Sequence, residues 1–155
     1  MIQSLKKLLA WFAQSQNANS AGVYISSNGS VARFVFESRK IKADGTPKPG
    51  AFDPEQHPIA RIFETSVCGL NGVTSDRMWE LGRNIRPGKS VIAAIEIAVA
   101  KIQVAGLNCF PAPETQPINY PEHGIIVGWD DDKSKRLAAQ QYLVANITRT
   151  HMPTA

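Results

Sequence analysis

The stretch 31–38 (VARFVFES) alternates without a break: Val31, Arg33, Val35 and Glu37 fall on one side, and Ala32, Phe34, Phe36 and Ser38 on the other. That period of two is the pattern of a half-buried strand, with its two phenylalanines turned to a core and Arg33 and Glu37 sharing the opposite face. The chain cannot continue as a strand beyond it. Asp44-Gly45, Pro47 and Pro49-Gly50 punctuate a segment that also carries Arg39, Lys40, Lys42 and Lys48, so it reads as a basic loop. Ala51-Phe52 then returns an apolar anchor to the protein.

At 155 residues the chain is expected to form one domain, and a domain of this size buries roughly 68 to 70% of its unfolded surface. Its 43% hydrophobic and 19% charged content is that of an ordered globular protein, which confines expected disorder to the ends. Cys68 and Cys109 are the only cysteines, too few for a disulfide scaffold and in no CxxC spacing, so both read as reduced, buried apolar residues. Lys6 and Lys7 precede LLAWFA at 8–13, a run shorter than the roughly 7 to 15 apolar residues of a signal h-region. No stretch approaches the roughly 20 apolar residues of a membrane span. A cytoplasmic protein without a membrane span is the expectation.

In chain order, 2–14 reads as an amphipathic helix with Ser4 as N-cap and Leu5, Leu8, Leu9 and Phe12 on its apolar face. Residues 14–20 (QSQNANS) form a polar linker, so 1–20 stands apart from a compact domain over 21–147. There, 22–26 is a short strand and 27–29 a turn, which predicts a first hairpin with 31–38. A strand is expected at 59–65. A helix follows at 74–85, capped by Thr74 or Ser75, with Asp76 complementing the dipole, and stopped by Pro87-Gly88. Helix and strand compete at 90–105; the alternation of Ile95, Ile97 and Val99 favours a strand at 92–99, then helical turns to 105 and a short strand at 107–110. Residues 111–121 form an exposed proline-rich loop, and 124–129 a buried strand. Asp130, Asp131 and Asp132 begin a last helix that reaches about residue 147, with Leu137, Tyr142, Leu143 and Ile147 for its core face. A frayed tail is expected over 148–155. The fold class is α+β: a single domain with a mostly antiparallel mixed sheet and two or three packed helices.

The chain contains no Walker loop, GxGxxG, HExxH or GxSxG, so the well-marked nucleotide and hydrolase signatures are missing and no cofactor is expected. His57, His123 and His151 have no ligand spacing among them, and no metal site is expected. A helix N-terminus accounts for the three aspartates without magnesium. His123 ends the proline-rich loop just before an apolar strand, a place from which side chains project into clefts. A charged Arg33 inside an apolar strand must lie on an exposed face, pair with Glu37, or line a polar pocket. In the last case Arg33, Ser38, Arg61 and His123 converge as an anion-binding cleft. The net charge of +4 is concentrated over 33–48 and again at Arg77, Arg83, Arg86 and Lys89, two clusters that form one patch if the fold brings them together.

The segments RFVFESRKIKADGTPKPGAFDP, IARIFET, MWELG and PEHGIIVGWDDDKSKRLAAQQYL together resemble a set of small prokaryotic proteins of uncharacterised function. The likeness spans about 33–146 and leaves the N-terminal helix outside. It implies a recurring compact domain with an Arg, Ser and His cleft, and no particular reaction.

Two functions are open to such a chain. The first is a noncatalytic interaction or accessory module whose basic loop, with Arg39, Lys40, Lys42 and Lys48, binds an acidic protein or nucleic acid. The second is a small enzyme acting on a phosphate-bearing substrate, with Arg33 and Arg61 holding the anion, His123 as general acid or base, and Ser38 as a further catalytic candidate.

Overall fold

The computed structural model describes residues 24–154; the helix and linker expected over 1–20 lie outside them. The strands are β1 (Ser30–Val35), β2 (Glu55–Gln56), β3 (Phe63–Gly69), β4 (Ala93–Ala98), β5 (Asn108–Pro111), β6 (His123–Val127) and β7 (Arg149–His151). The helices are α1 (Ser75–Asn84), α2 (Val99–Val104) and α3 (Lys133–Ala145), with 3-10 turns at Ser38–Lys40 and Pro49–Phe52. Among the described residues the strands form one sheet of order β5-β6-β3-β1-β4-β7, with β2 added to β3, and every pairing is antiparallel. The fold is α+β.

β1 is a central strand rather than a half-exposed one, because helices cover both faces of the sheet. On one side Ala32, Phe34, Cys68 and Tyr120 pack with Met78 and Leu81 of α1. On the other, Val31, Val35, Ile95 and Ile97 pack with Phe52, Ile102 of α2 and Leu143 of α3. The apolar alternation of β1 therefore serves two cores, and Arg33 has no solvated face to occupy. α1 approaches closely because residue 82 is glycine: a Cβ there would stand 2.9 Å from Cε1 of Phe34.

Several local expectations change. No strand forms over 24–26, so the hairpin with β1 is not made: Ser26 and Gly29 close a turn with a 3.0 Å backbone bond, and Tyr24 O accepts from Asn71 N. Both edges of β1 are taken by β3 and β4 instead. The strand expected at 59–65 starts at Phe63, because Nδ1 of His57 accepts the amides of Ile59 and Ala60 and bends that segment into the β2–β3 turn. Ile59 stands 83% exposed at its tip. The frayed tail is corrected too: Arg149–His151 is a strand paired with β4, held by His151 Nε2 and Arg149 Nε on Glu96 Oε2 at 2.6 and 3.4 Å. In α3 it is Gln140 and Leu143 that turn inward, while Leu137 is exposed. The capping at Thr74 and Asp132 is as expected, each side chain accepting amides of the first turn. The β4, α2 and β5 division matches the strand, helix, strand reading of 92–110.

Candidate functional site

The ladder between β1 and β3 consists of two pairs, Val31↔Gly69 and Ala32↔Cys68. Arg33 enters the split beyond them. Its Nε donates to Ala51 O at 3.1 Å, and its Nη1 to Ser66 O at 2.9 Å; Thr65 Oγ1 donates to Phe52 O beside it. The guanidinium is thus fixed between a strand carbonyl and the end of the Pro49–Phe52 turn. Arg33 as a residue is only 8% exposed; it forms no ion pair among the described residues, Glu55 and Asp53 acting on it through space, and Nη2 has no protein acceptor there. Burial first, and then the charge of Arg86, lower its pKa to about 10.

Arg33 lines a cavity of about 130 Å³ with Phe34, Phe36, Ser66, Val67, Ile85, Arg86, Glu114, Tyr120 and His123. Arg86, just past the end of α1, lies over the Phe36 ring at 5.1 Å and reaches Glu55 Oε1 at 3.5 Å. The two basic clusters of the sequence thus meet here through Arg33 and Arg86. Opposite them, Glu114 and Tyr120 bond each other through both backbone amides, at 3.1 and 2.8 Å, which brings both side chains to the cavity. Tyr120 is buried and its hydroxyl donates to Val67 O at 3.4 Å; burial pushes its pKa well above the ordinary tyrosine value.

His123 begins β6 opposite Cys68 and is buried. Ala112 holds it on two sides: Ala112 N donates to His123 O, and Ala112 O lies 2.5 Å from Nδ1. A carbonyl only accepts, so Nδ1 carries the proton and the lone pair of the neutral ring is on Nε2. Nε2 has no protein partner among the described residues. Burial holds the imidazole below the ordinary histidine pKa, against the pull of Glu114, whose Oε1 is 3.6 Å from Nδ1. The segment carrying Tyr120 and His123 is tied to α1 by Arg77, which grips the buried Glu122 with Nε at 2.8 Å and Nη2 at 3.2 Å and donates to Asn119 O.

Compared with family models, curated proteins and solved structures, the chain shows no match.

Of the four residues expected to converge, Arg33 and His123 share the cavity. Ser38 and Arg61 are not among its lining residues: Ser38 is exposed at the start of a 3-10 turn, and Arg61, exposed on the β2–β3 turn, takes a positive φ of 58°. Arg33 does not pair with Glu37, which is held instead by Arg39 at 2.7 Å and Lys40 at 3.2 Å; Lys40 also lies 3.9 Å from Asp53. Lys42 and Lys48 are exposed, outside any ion pair among the described residues. Sequence reasoning did not assign Arg86, Glu114, Phe36 or Tyr120 to a site. Arg86 was visible as a member of the second basic cluster and Phe36 as part of the alternation of 31–38; Glu114 and Tyr120 give no local signal, since they meet only through their backbone pairing.

Cys68 is buried and Cys109 half-buried, and both are free thiols. Burial pushes each thiol up to about 12, so neither is a nucleophile at neutral pH. Among the described residues no cluster of His, Cys, Asp or Glu could hold a metal ion, and no helix is long and apolar enough to cross a membrane.

Proposed function

We propose that the cavity binds a small phosphate-bearing molecule, with Arg33 and Arg86 as its cationic wall and His123 as the group that exchanges a proton with the ligand. The observation that carries this reading is Arg33. Buried cations are paired, because an unpaired charge in low dielectric costs several kcal/mol. Among the described residues no carboxylate bonds Arg33: two carbonyls meet its donors, Glu55 and Asp53 act on it only through space, and its Nη2 belongs to a residue on the cavity wall. Arg86 adds a second positive charge close enough to depress the pKa of Arg33, offset in part by its pairing with Glu55, and the two guanidiniums together favour an anionic ligand. A phosphate supplies both the charge and several acceptor oxygens.

The neutral ring of His123 offers Nε2 as an acceptor. A bound dianion raises the histidine pKa, so the ring takes up a proton and becomes a donor to the phosphate. The same exchange is what a general acid or base performs. At about 130 Å³ the cavity is smaller than the roughly 300 Å³ at which drug-sized pockets begin, so the ligand is small or enters by its phosphate end. The reading of a basic loop that binds acidic proteins or nucleic acid draws mainly on Lys42 and Lys48, since Arg39 and Lys40 are occupied by Glu37.

Titration calorimetry with inorganic phosphate tests the proposal on the wild type and on Arg33→Met, which keeps an unbranched side chain while removing charge and donors. Heat of binding on the wild type that vanishes in a folded Arg33→Met is the expected result. Equal affinity for the two proteins would overturn the proposal.

A further inference from the structure

The cavity wall also carries a group of the opposite charge. Glu114 lines it with a side chain that is 47% exposed; among the described residues no Lys or Arg pairs with its carboxylate, and burial holds His123 beside it below the ordinary histidine pKa. Glu64 stands two residues before Ser66 on β3, on the same face of the sheet. Its Oε2 is sealed from water and has no hydrogen-bond partner among the described residues. Glu55, opposite Glu64 in the β2–β3 register, is the carboxylate that takes Arg86. Burial, and then the charges of Glu114 and Glu55, raise the Glu64 pKa to about 7, as expected for a carboxyl withdrawn from water beside other carboxylates. Arg33 and Glu114 act on His123 from opposite sides in charge, Arg33 lowering its pKa and Glu114 raising it.

We infer that the ligand is an aminoalkyl phosphate, its phosphate bound inside at Arg33 and its ammonium group held at the mouth by Glu114. This rests on the phosphate reading of the same cavity. The ammonium group would give Glu114 a cationic partner, and a ligand with both charges would satisfy Arg33 and Glu114 together. An anion without an amine would satisfy Arg33 and leave Glu114 repelling it.

Calorimetry on the full chain with 2-aminoethyl phosphate and with propyl phosphate, which has a neutral chain of the same length, isolates the amine. A charge-assisted contact of the ammonium predicts that 2-aminoethyl phosphate binds about tenfold more tightly to the wild type. In Glu114→Gln the ratio of the two affinities should fall to about one. Equal affinities on the wild type, or a preference that persists in Glu114→Gln, would overturn the inference while leaving the phosphate reading standing. If neither ester binds, and inorganic phosphate does not bind, both fall together.

Discussion

Replacing Glu64, beside the cavity on β3, by Gln separates the charge of its carboxyl from its packing. The carboxyl is raised from its ordinary value of 4.5 to about 7 by burial and by Glu114 and Glu55. One pH unit is worth about 1.4 kcal/mol, which gives about 3 kcal/mol for a fully sealed group. Glu64 is only half-buried, and screening cuts this to about 1 to 2 kcal/mol. The folded protein holds the proton more tightly than the unfolded chain, so between 4.5 and about 7 stability falls as pH rises, and the full cost is present above that window. Gln imitates the protonated acid and has no such dependence. Any loss from an unpaired amide is the same at every pH and cancels in the comparison. The pH dependence must be read as a difference between the two proteins, because His123, whose pKa lies below 6.5, acts in the opposite direction and loses stability as pH falls. Urea denaturation at about pH 8 and about pH 5 should show Glu64→Gln gaining about 1 to 2 kcal/mol on the wild type in going to the higher pH, or about 2 to 8 °C in thermal midpoint. A difference between the proteins that does not change with pH would refute the electrostatic account of Glu64.

Other outcomes follow from the contacts around the cavity. Arg77→Met leaves the carboxylate of Glu122 buried and unpaired, and should cost about 3 kcal/mol in urea denaturation; the double variant with Glu122→Gln should recover part of that loss, and an additive result would count against the pair. Sulfate keeps its charge at neutral and mildly acid pH, so its affinity should rise as pH falls, by up to about tenfold per pH unit while His123 takes up its proton. His123→Asn should bind sulfate with a flat pH profile, and a slope retained in that variant would assign the proton to another group. Gly82→Ala should destabilise by about 1 to 3 kcal/mol, since the new methyl meets the Phe34 ring. Adding Phe34→Leu should relieve much of that cost, and a neutral Gly82→Ala would mean that α1 is not packed as tightly as described.

The fold was legible where local chemistry acts alone. Thr74 and Asp132 cap their helices as short polar residues do, and the alternation of Ile95 and Ile97 distinguished β4 from a helix. The misreadings share a cause in tertiary structure. Alternation in 31–38 is the same whether one face meets water or both faces meet helices, so the burial of Arg33 was not readable from it. The 148–155 segment is polar and short, and it becomes β7 because Glu96 of β4 offers a partner to His151 and Arg149. Ile59 fits a strand by propensity, yet His57 and Pro58 turn it outward. For the site, Arg33 and His123 stood out because a charged residue in an apolar strand and a histidine at a strand end need explanation. Ser38 and Arg61 were drawn in by sequence proximity to strands, and the structure places both outside the cavity. Glu114 and Tyr120 meet through an isolated bridge within a loop, a contact with no periodic signature.

The central claim is that Arg33 waits for an anion. Tungstate, a phosphate-like dianion with strong anomalous scattering, can be soaked into crystals of the full chain and located directly. The account predicts one tungstate in the cavity, against Nη2 of Arg33 and within reach of Arg86 and His123. An empty cavity in crystals whose tungstate sits on Lys42 and Lys48 would contradict it, and would return the function to the basic loop.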